Sequence, residues 1–243
     1  MATQAQAWLE ARVQRKVAGE RLAMVFDLDE TLLDHGRSAK LAALQLQKEY
    51  RLAKWTPDAF VQHWEALSRE HIATHFAGHI SFQEHRRRRI RAVFENPLIS
   101  DTEADAIFRT YLQTYEATWS LFDDAIPCLD DLAGFRLGVI TNGDPGQQRR
   151  KLKATGIDQR FETEVFSGEL GIAKPDPGIF HEACRRLKIS PGECVMVGDN
   201  LERDVLGARS AGMQAIWLRR DREMPANRDE IVSLHELRKK WNE

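Results

Sequence analysis

Four aspartates, one lysine and a threonine–asparagine pair carry the chemistry this sequence is equipped to perform. Asp27 and Asp29 stand just past the apolar run Leu22-Ala23-Met24-Val25-Phe26, and Asp199 and Asp204 follow a second run, Cys194-Val195-Met196-Val197. Carboxylates gathered in one place repel each other unless a cation sits between them or one is protonated. A hard divalent cation with oxygen ligands resolves the repulsion, and Mg²⁺ characteristically takes few carboxylates plus water and substrate phosphate. So many acids would also repel an incoming phosphate. Lys174, in Gly171-Ile172-Ala173-Lys174-Pro175-Asp176, supplies the compensating point charge. Thr141 and Asn142 supply a hydroxyl and amide groups that hold phosphate oxygens. Together these residues make an electrostatic clamp for a transferring phosphoryl group.

Such a clamp needs elements that converge on one edge. The run 22–26 is apolar without alternation, the pattern of a strand buried on both faces of a parallel sheet. Three further runs share the design: Phe135–Ile140 leading into Thr141-Asn142-Gly143-Asp144, Cys194–Val197 into Gly198-Asp199-Asn200, and Ala215–Leu218 into Arg219. Glu164–Ser167 is a fifth, weaker strand. Helical patterns separate them, over Gly146–Thr155, Pro177–Leu187 and Asp204–Ala211. Alternating strands and helices predict an α/β fold, a three-layer Rossmann-like parallel sheet. Right-handed crossovers bring the strand C-terminal ends to one edge, where open α/β sheets bind ligands. Residues 36–120 break the alternation with a mainly helical pattern, an inserted α-helical cap. The expected organisation is a helical extension over 1–19, a core from 20–35 and 121–243, and the cap between them.

With these elements in place, Asp27-Leu28-Asp29-Glu30-Thr31-Leu32 resembles the DxDx[TV] motif of the haloacid dehalogenase-like hydrolases. Thr141, Lys174 and Gly198-Asp199 with Asp204 look like that family's other motifs, in order, each beside a strand or loop. The resemblance implies a phosphatase with a helical cap. Asp27 would be the nucleophile and Asp29 the acid and base. Mg²⁺ would be held by Asp27, the main-chain carbonyl of Asp29 and Asp199, with Asp204 assisting through water or by positioning Lys174. Thr141, the Asn142 backbone and Lys174 would bind the phosphoryl group. Family members that act as haloalkanoic-acid dehalogenases differ at the position of Asp29, so its presence favours phosphate esters. Glu30 replaces the glycine common there. The expected substrate is a small phosphorylated metabolite: a nucleotide, a flavin-type phosphate or a sugar phosphate. A phosphomutase or phosphotransferase on the same fold, and a non-catalytic binding module, are the alternatives.

Composition narrows the partners. The 243 residues carry a formal net charge of −2, with 42% apolar and 30% charged side chains. No strong overall field favours nucleic acid or an anionic membrane. No apolar run is long enough to cross a bilayer, and the first twenty residues lack a signal peptide's apolar stretch. A cytoplasmic protein, monomer or homodimer, is expected. Cys128, Cys184 and Cys194 form no CxxC pair and read as small buried side chains. The basic run His85–Arg91 reads as a solvated, partly ion-paired helix rather than a ligand site. His71, His75 and His79 recur at helical spacing and read as a polar or core-facing stripe, and Trp55, Trp64 and Trp119 as packing.

Overall fold

The computed structural model describes residues 23–76, 78–227 and 229–237; the helix expected over 1–19 lies outside them. In chain order, β1 (Ala23–Phe26) is followed by four helices, α1 (His35–Glu49), α2 (Pro57–Phe76), α3 (Phe82–Val93) and α4 (Asp101–Ala117). Then come α5 (Ala125–Asp131), β2 (Arg136–Thr141), α6 (Pro145–Ala154), β3 (Thr163–Phe166), α7 (Ser167–Leu170), α8 (Pro177–Arg186), β4 (Cys194–Gly198), α9 (Gly207–Ser210), β5 (Gln214–Leu218) and β6 (Glu230–Ile231). The chain divides into two compact units: His35–Ser120, and the residues on either side of that insertion.

Among the described residues six strands all run parallel, in the order β3-β2-β1-β4-β5-β6. Every residue of β1 and β4 is buried, which is why their sequences are apolar without alternation. On one face, Val25, Ile140, Val165 and Met196 pack with Ile179, Phe180 and Ala183 of α8 and with Val205 and Ala208. The fold is thus the expected Rossmann-like parallel sheet with helices. One helix differs from expectation. In place of a helix over Asp204–Ala211, a wide π-type turn spans Leu201–Leu206 and passes into α9. Asn200 starts it early, its side chain accepting a hydrogen bond from the Arg203 amide at 2.9 Å. The two-residue β6 was too short to be read from its sequence.

Within the helical unit, Ala42, Ala43, Leu46, Phe60, Trp64, Ile90, Phe108 and Tyr111 form the core. Ser81 and Ser100 cap α3 and α4, accepting from the amides of Glu84 and Glu103. The basic run divides. Arg87, Arg88 and Arg91 pair with Asp101, Asp105 and Glu84, as expected of a solvated helix face. Arg89 and His85 instead turn inward and are buried, because they lie four residues apart on the stripe that also carries Ile90 and Val93. The Arg89 guanidinium carbon lies 4.0 Å from the Trp64 ring centre, a cation–π contact that offsets its desolvation. His71 and His75 are half-buried on α2, whereas His79 lies beyond its end. Trp64 is buried, Trp55 stacks on His63 and Trp119 meets Tyr115 edge-on. The three cysteines are buried and free. Among the described residues no helix is long and apolar enough to cross a membrane.

Candidate active site

Asp27 is the first residue past β1, and its amide donates to the carbonyl of Val197 at 2.9 Å, extending the sheet register into the loop. The chain then turns back on itself: the amides of Leu32 and Leu33 both donate to the carbonyl of Leu28. Glu30 sits in this turn at φ 63°, the left-handed region that glycine enters without steric cost. That geometry accounts for the family's glycine at this place. The turn also supplies the reversal that two carboxylates spaced i, i+2 need before both can serve one site.

Asp27 from the end of β1, Asp199 from the end of β4 and Asp204 from the turn at Leu201–Leu206 each bring one carboxylate oxygen within 4.8 Å of the others. Lys174 is interleaved among them, its Nζ 2.7 Å from Asp27 Oδ1 and 2.6 Å from Asp204 Oδ1. Asp204 Oδ2 accepts from the Asn200 amide at 2.9 Å, so both oxygens of this fully buried aspartate are engaged. Asp199 is fixed differently. Its amide donates to Thr31 Oγ1 at 3.1 Å, and the indole Nε1 of Trp217 donates to its carbonyl at 2.8 Å. Arg220 supports the same loop, donating to the Thr31 carbonyl at 2.8 Å while gripping Asp124 with both terminal nitrogens.

The electrostatics of this cluster are unbalanced. Burial pushes the Asp27 carboxyl well above its ordinary range; Lys174 pulls it back, while Asp204 and Asp199 raise it further. Burial and Asp204 likewise raise Asp199. Burial opposes the Lys174 charge, but Asp204 and Asp27 outweigh it and raise that ammonium. Three carboxylates facing one ammonium leave an excess of negative charge, carried by an all-oxygen donor set. Those residues fit a hard divalent cation, with Asp27 and Asp199 able to offer oxygens and Asp204 committed to Lys174 and Asn200.

Asp29 takes no part in that cluster with its side chain. Lys151 Nζ lies 2.7 and 2.8 Å from its two oxygens, and Gln148 Nε2 donates to Oδ2 at 3.1 Å. Gln148 Nε2 also donates to Thr141 Oγ1 at 2.7 Å. The Asn142 side chain is engaged too: its amide donates to the Lys174 carbonyl at 3.0 Å and its oxygen accepts from the Lys174 amide at 2.9 Å. Asn142 therefore has its main chain, not its side-chain amide, to offer a phosphate. The next residue, Gly143, donates its amide to Ser167 Oγ at 3.0 Å.

Sequence reasoning missed Gln148, Lys151, Thr31, Trp217 and Arg220. Gln148 and Lys151 lie in Gln147-Gln148-Arg149-Arg150-Lys151, a stretch whose sequence reads only as part of the helix over Gly146–Thr155. Their one signal is the spacing of 148, 151 and 152, which puts two polar residues on the stripe of Leu152; all three are buried.

Comparison with known proteins agrees with this geometry. The family model of the haloacid dehalogenase-like hydrolases matches residues 22–212. A glyceraldehyde 3-phosphate phosphatase of Methanopyrus kandleri is 33% identical over 214 residues, 86% of this chain and 90% of its own. The N-acylneuraminate-9-phosphatase of Mus musculus is 30% identical and covers 84% of each chain. Among solved structures, a magnesium-bound HAD-hydrolase from Bacillus subtilis superposes with a TM-score of 0.76 at 24% identity, over 92% of this chain and all of the other. A 2-haloacid dehalogenase from Pseudomonas syringae has a TM-score of 0.67 at 29% identity, over 92% and 99%. The chain belongs to the haloacid dehalogenase-like hydrolases and, in line with the two named phosphatases that are at least 30% identical along most of its length, is a phosphatase of that family.

Proposed function

We propose that this chain is a magnesium-dependent phosphohydrolase for a small phosphorylated metabolite, working through an aspartyl-phosphate at Asp27. The observation that carries the reading is the interleaving of Lys174 between Asp27 and Asp204, with Asp199 alongside. Asp27 and Asp199, with the main-chain carbonyl of Asp29, would hold the cation. Bound Mg²⁺ supplies charge stabilisation at the phosphoryl oxygens. Thr141, the Asn142 main chain and Lys174 orient the phosphoryl group. An oxygen of Asp27 attacks phosphorus as the ester P–O bond breaks, and Asp29, protonated once the bound phosphate dianion offsets the Lys151 charge beside it, gives that proton to the departing oxygen. Water then attacks phosphorus, Asp29 takes its proton, and the bond to Asp27 breaks to release phosphate. Lys174 offsets the charge of Asp27 and the transferring group throughout.

Asp29 separates this reading from dehalogenation, since a halide leaves without a proton. The names of the relatives that match most of the chain favour a sugar-type phosphate among metabolites. Turnover of p-nitrophenyl phosphate tests the reaction. The expected result is phosphate release that requires Mg²⁺ and vanishes in Asp27→Asn; undiminished activity in that variant defeats the mechanism.

A further inference from the structure

We infer that Lys151 and Gln148 are positioning residues for Asp29, holding the leaving-group acid in one orientation and tying it to the phosphoryl-binding threonine. The inference rests on the function proposed above and deepens it. A carboxyl group turns freely about its Cβ–Cγ bond, and Asp29 is partly exposed. Here two donors restrain it. Lys151 Nζ bonds both oxygens, at 2.7 and 2.8 Å, and Gln148 Nε2 bonds Oδ2 at 3.1 Å. Lys151 and Gln148 are themselves immobilised, being 2% and 1% exposed.

Both donors come from α6, whose first turn is set directly after the Thr141-Asn142-Gly143 loop. Asp144 caps it, Oδ1 accepting from the Gln147 amide at 2.8 Å, and Pro145 begins it. One helix therefore fixes Asp29 while its preceding loop carries the phosphoryl-binding groups. Gln148 completes the link, because the same nitrogen reaches Asp29 and Thr141 Oγ1. With that hydroxyl oxygen accepting from Gln148, its own proton is left to donate elsewhere, in the direction a phosphoryl oxygen requires. Preorganisation of this kind is worth most at a group whose misplacement by about 1 Å costs rate steeply.

A purely structural role is the competing account: a buried ammonium needs a counter-charge, and Asp29 provides it. The leaving group distinguishes them. An alkoxide departs only with a proton, whereas p-nitrophenolate departs without one. The experiment compares kcat/KM, which reports the step that expels the leaving group, for p-nitrophenyl phosphate and for the alkyl phosphate turned over best in a panel. Full-length wild type, Lys151→Met, Lys151→Arg, Asp29→Asn and the Asp29→Asn/Lys151→Met double variant are measured. Lys151→Met is expected to lose about 100-fold on the alkyl ester and under about 5-fold on the aryl ester, the scale of general-acid assistance. Lys151→Arg is expected to recover at least about tenfold of the alkyl loss, and the double variant to be no slower than Asp29→Asn alone. Equal losses on both esters, additive losses in the double variant, or a wild-type chain that acts on no alkyl phosphate overturn the inference. Failure of the underlying mechanism looks different: Asp27→Asn would then retain turnover of the aryl ester.

Discussion

Substituting alanine at Gly198 tests how tightly the acid cluster is packed. Gly198 closes β4, and a Cβ there would lie 2.5 Å from Cβ, Cγ and Oδ2 of Asp204. Ordinary contact begins at 3.4 Å, so the two groups must part by 3.4 − 2.5 = 0.9 Å. Asp204 has nowhere to go. It is fully buried, with one oxygen on the Asn200 amide and the other 2.6 Å from Lys174. The displacement therefore passes to Lys174 and on to Asp27, 2.7 Å from its Nζ. A misplacement of about 1 Å at the reacting groups costs about 100-fold in rate, and the overpacking itself about 1–3 kcal/mol. For a chain of this size that is a melting-temperature fall of about 2–12 °C. The assay is kcat/KM on p-nitrophenyl phosphate with Mg²⁺, beside a thermal melt. Gly134→Ala, where a new Cβ meets no atom within 4 Å, serves as the neutral control. Activity within about threefold of wild type would show that Asp204 does not transmit its position to Lys174, and the account of the cluster would fail.

Two predictions concern stability. Asp124 is buried and bonds Arg220 twice, Ser233 Oγ at 2.7 Å and the Leu234 amide at 2.9 Å. Asp124→Ala is expected to cost about 3 kcal/mol, the low end for breaking a buried pair because Arg220 keeps some exposure, read as the midpoint shift in urea. Burial raises this carboxyl, but Arg220, Ser233 and the Leu234 amide outweigh it and leave it below its ordinary value. Its contribution is thus present above the unfolded carboxylate range and lost as pH falls through the folded value, a dependence the variant should lack. His85 works at higher pH. Burial, with Arg89 and Arg86 beside it, lowers its imidazole from 6.5 to about 3. Below pH 6.5 the unfolded chain takes up a proton that the folded chain refuses, so stability falls between pH 6.5 and 3 by up to about 1.4 kcal/mol per unit. Urea titrations at pH 7 and 5 should differ by about 2 kcal/mol more in wild type than in His85→Leu; equal differences would refute it.

What the sequence discloses is what is local. Continuous apolar runs mark β1 and β4 because burial on both faces leaves no room for alternation, and the polar residues that follow them are carried to one edge by topology. The acids and Lys174 are visible as types in sequence order. Lys151 is not, because its neighbours Arg149 and Arg150 have the same composition and only the tertiary fold decides which cation of the helix faces inward. Arg89 is hidden for the same reason: four successive arginines mask the one that the helix period turns toward Trp64. The π-type turn at Leu201–Leu206 answers to a pair of side-chain bonds, at Asn200 and Asp204, that no periodicity reveals. Trp217 and Arg220 reach the site from β5 and the segment after it, at a sequence distance that no motif spans.

The sheet order has a consequence for how this molecule comes apart. The three strands that present Asp27, Thr141 and Asp199 are β1, β2 and β4, which stand side by side, each flanked on both sides. The two outermost of the described strands, β3 and β6, carry none of these groups. Fraying is expected to begin at those margins, away from the groups proposed to react, and to reach the middle of the ribbon last. Amide exchange should accordingly reach β6 before β1, and lengthening or trimming the outer edges should be tolerated where a change in the central three would not.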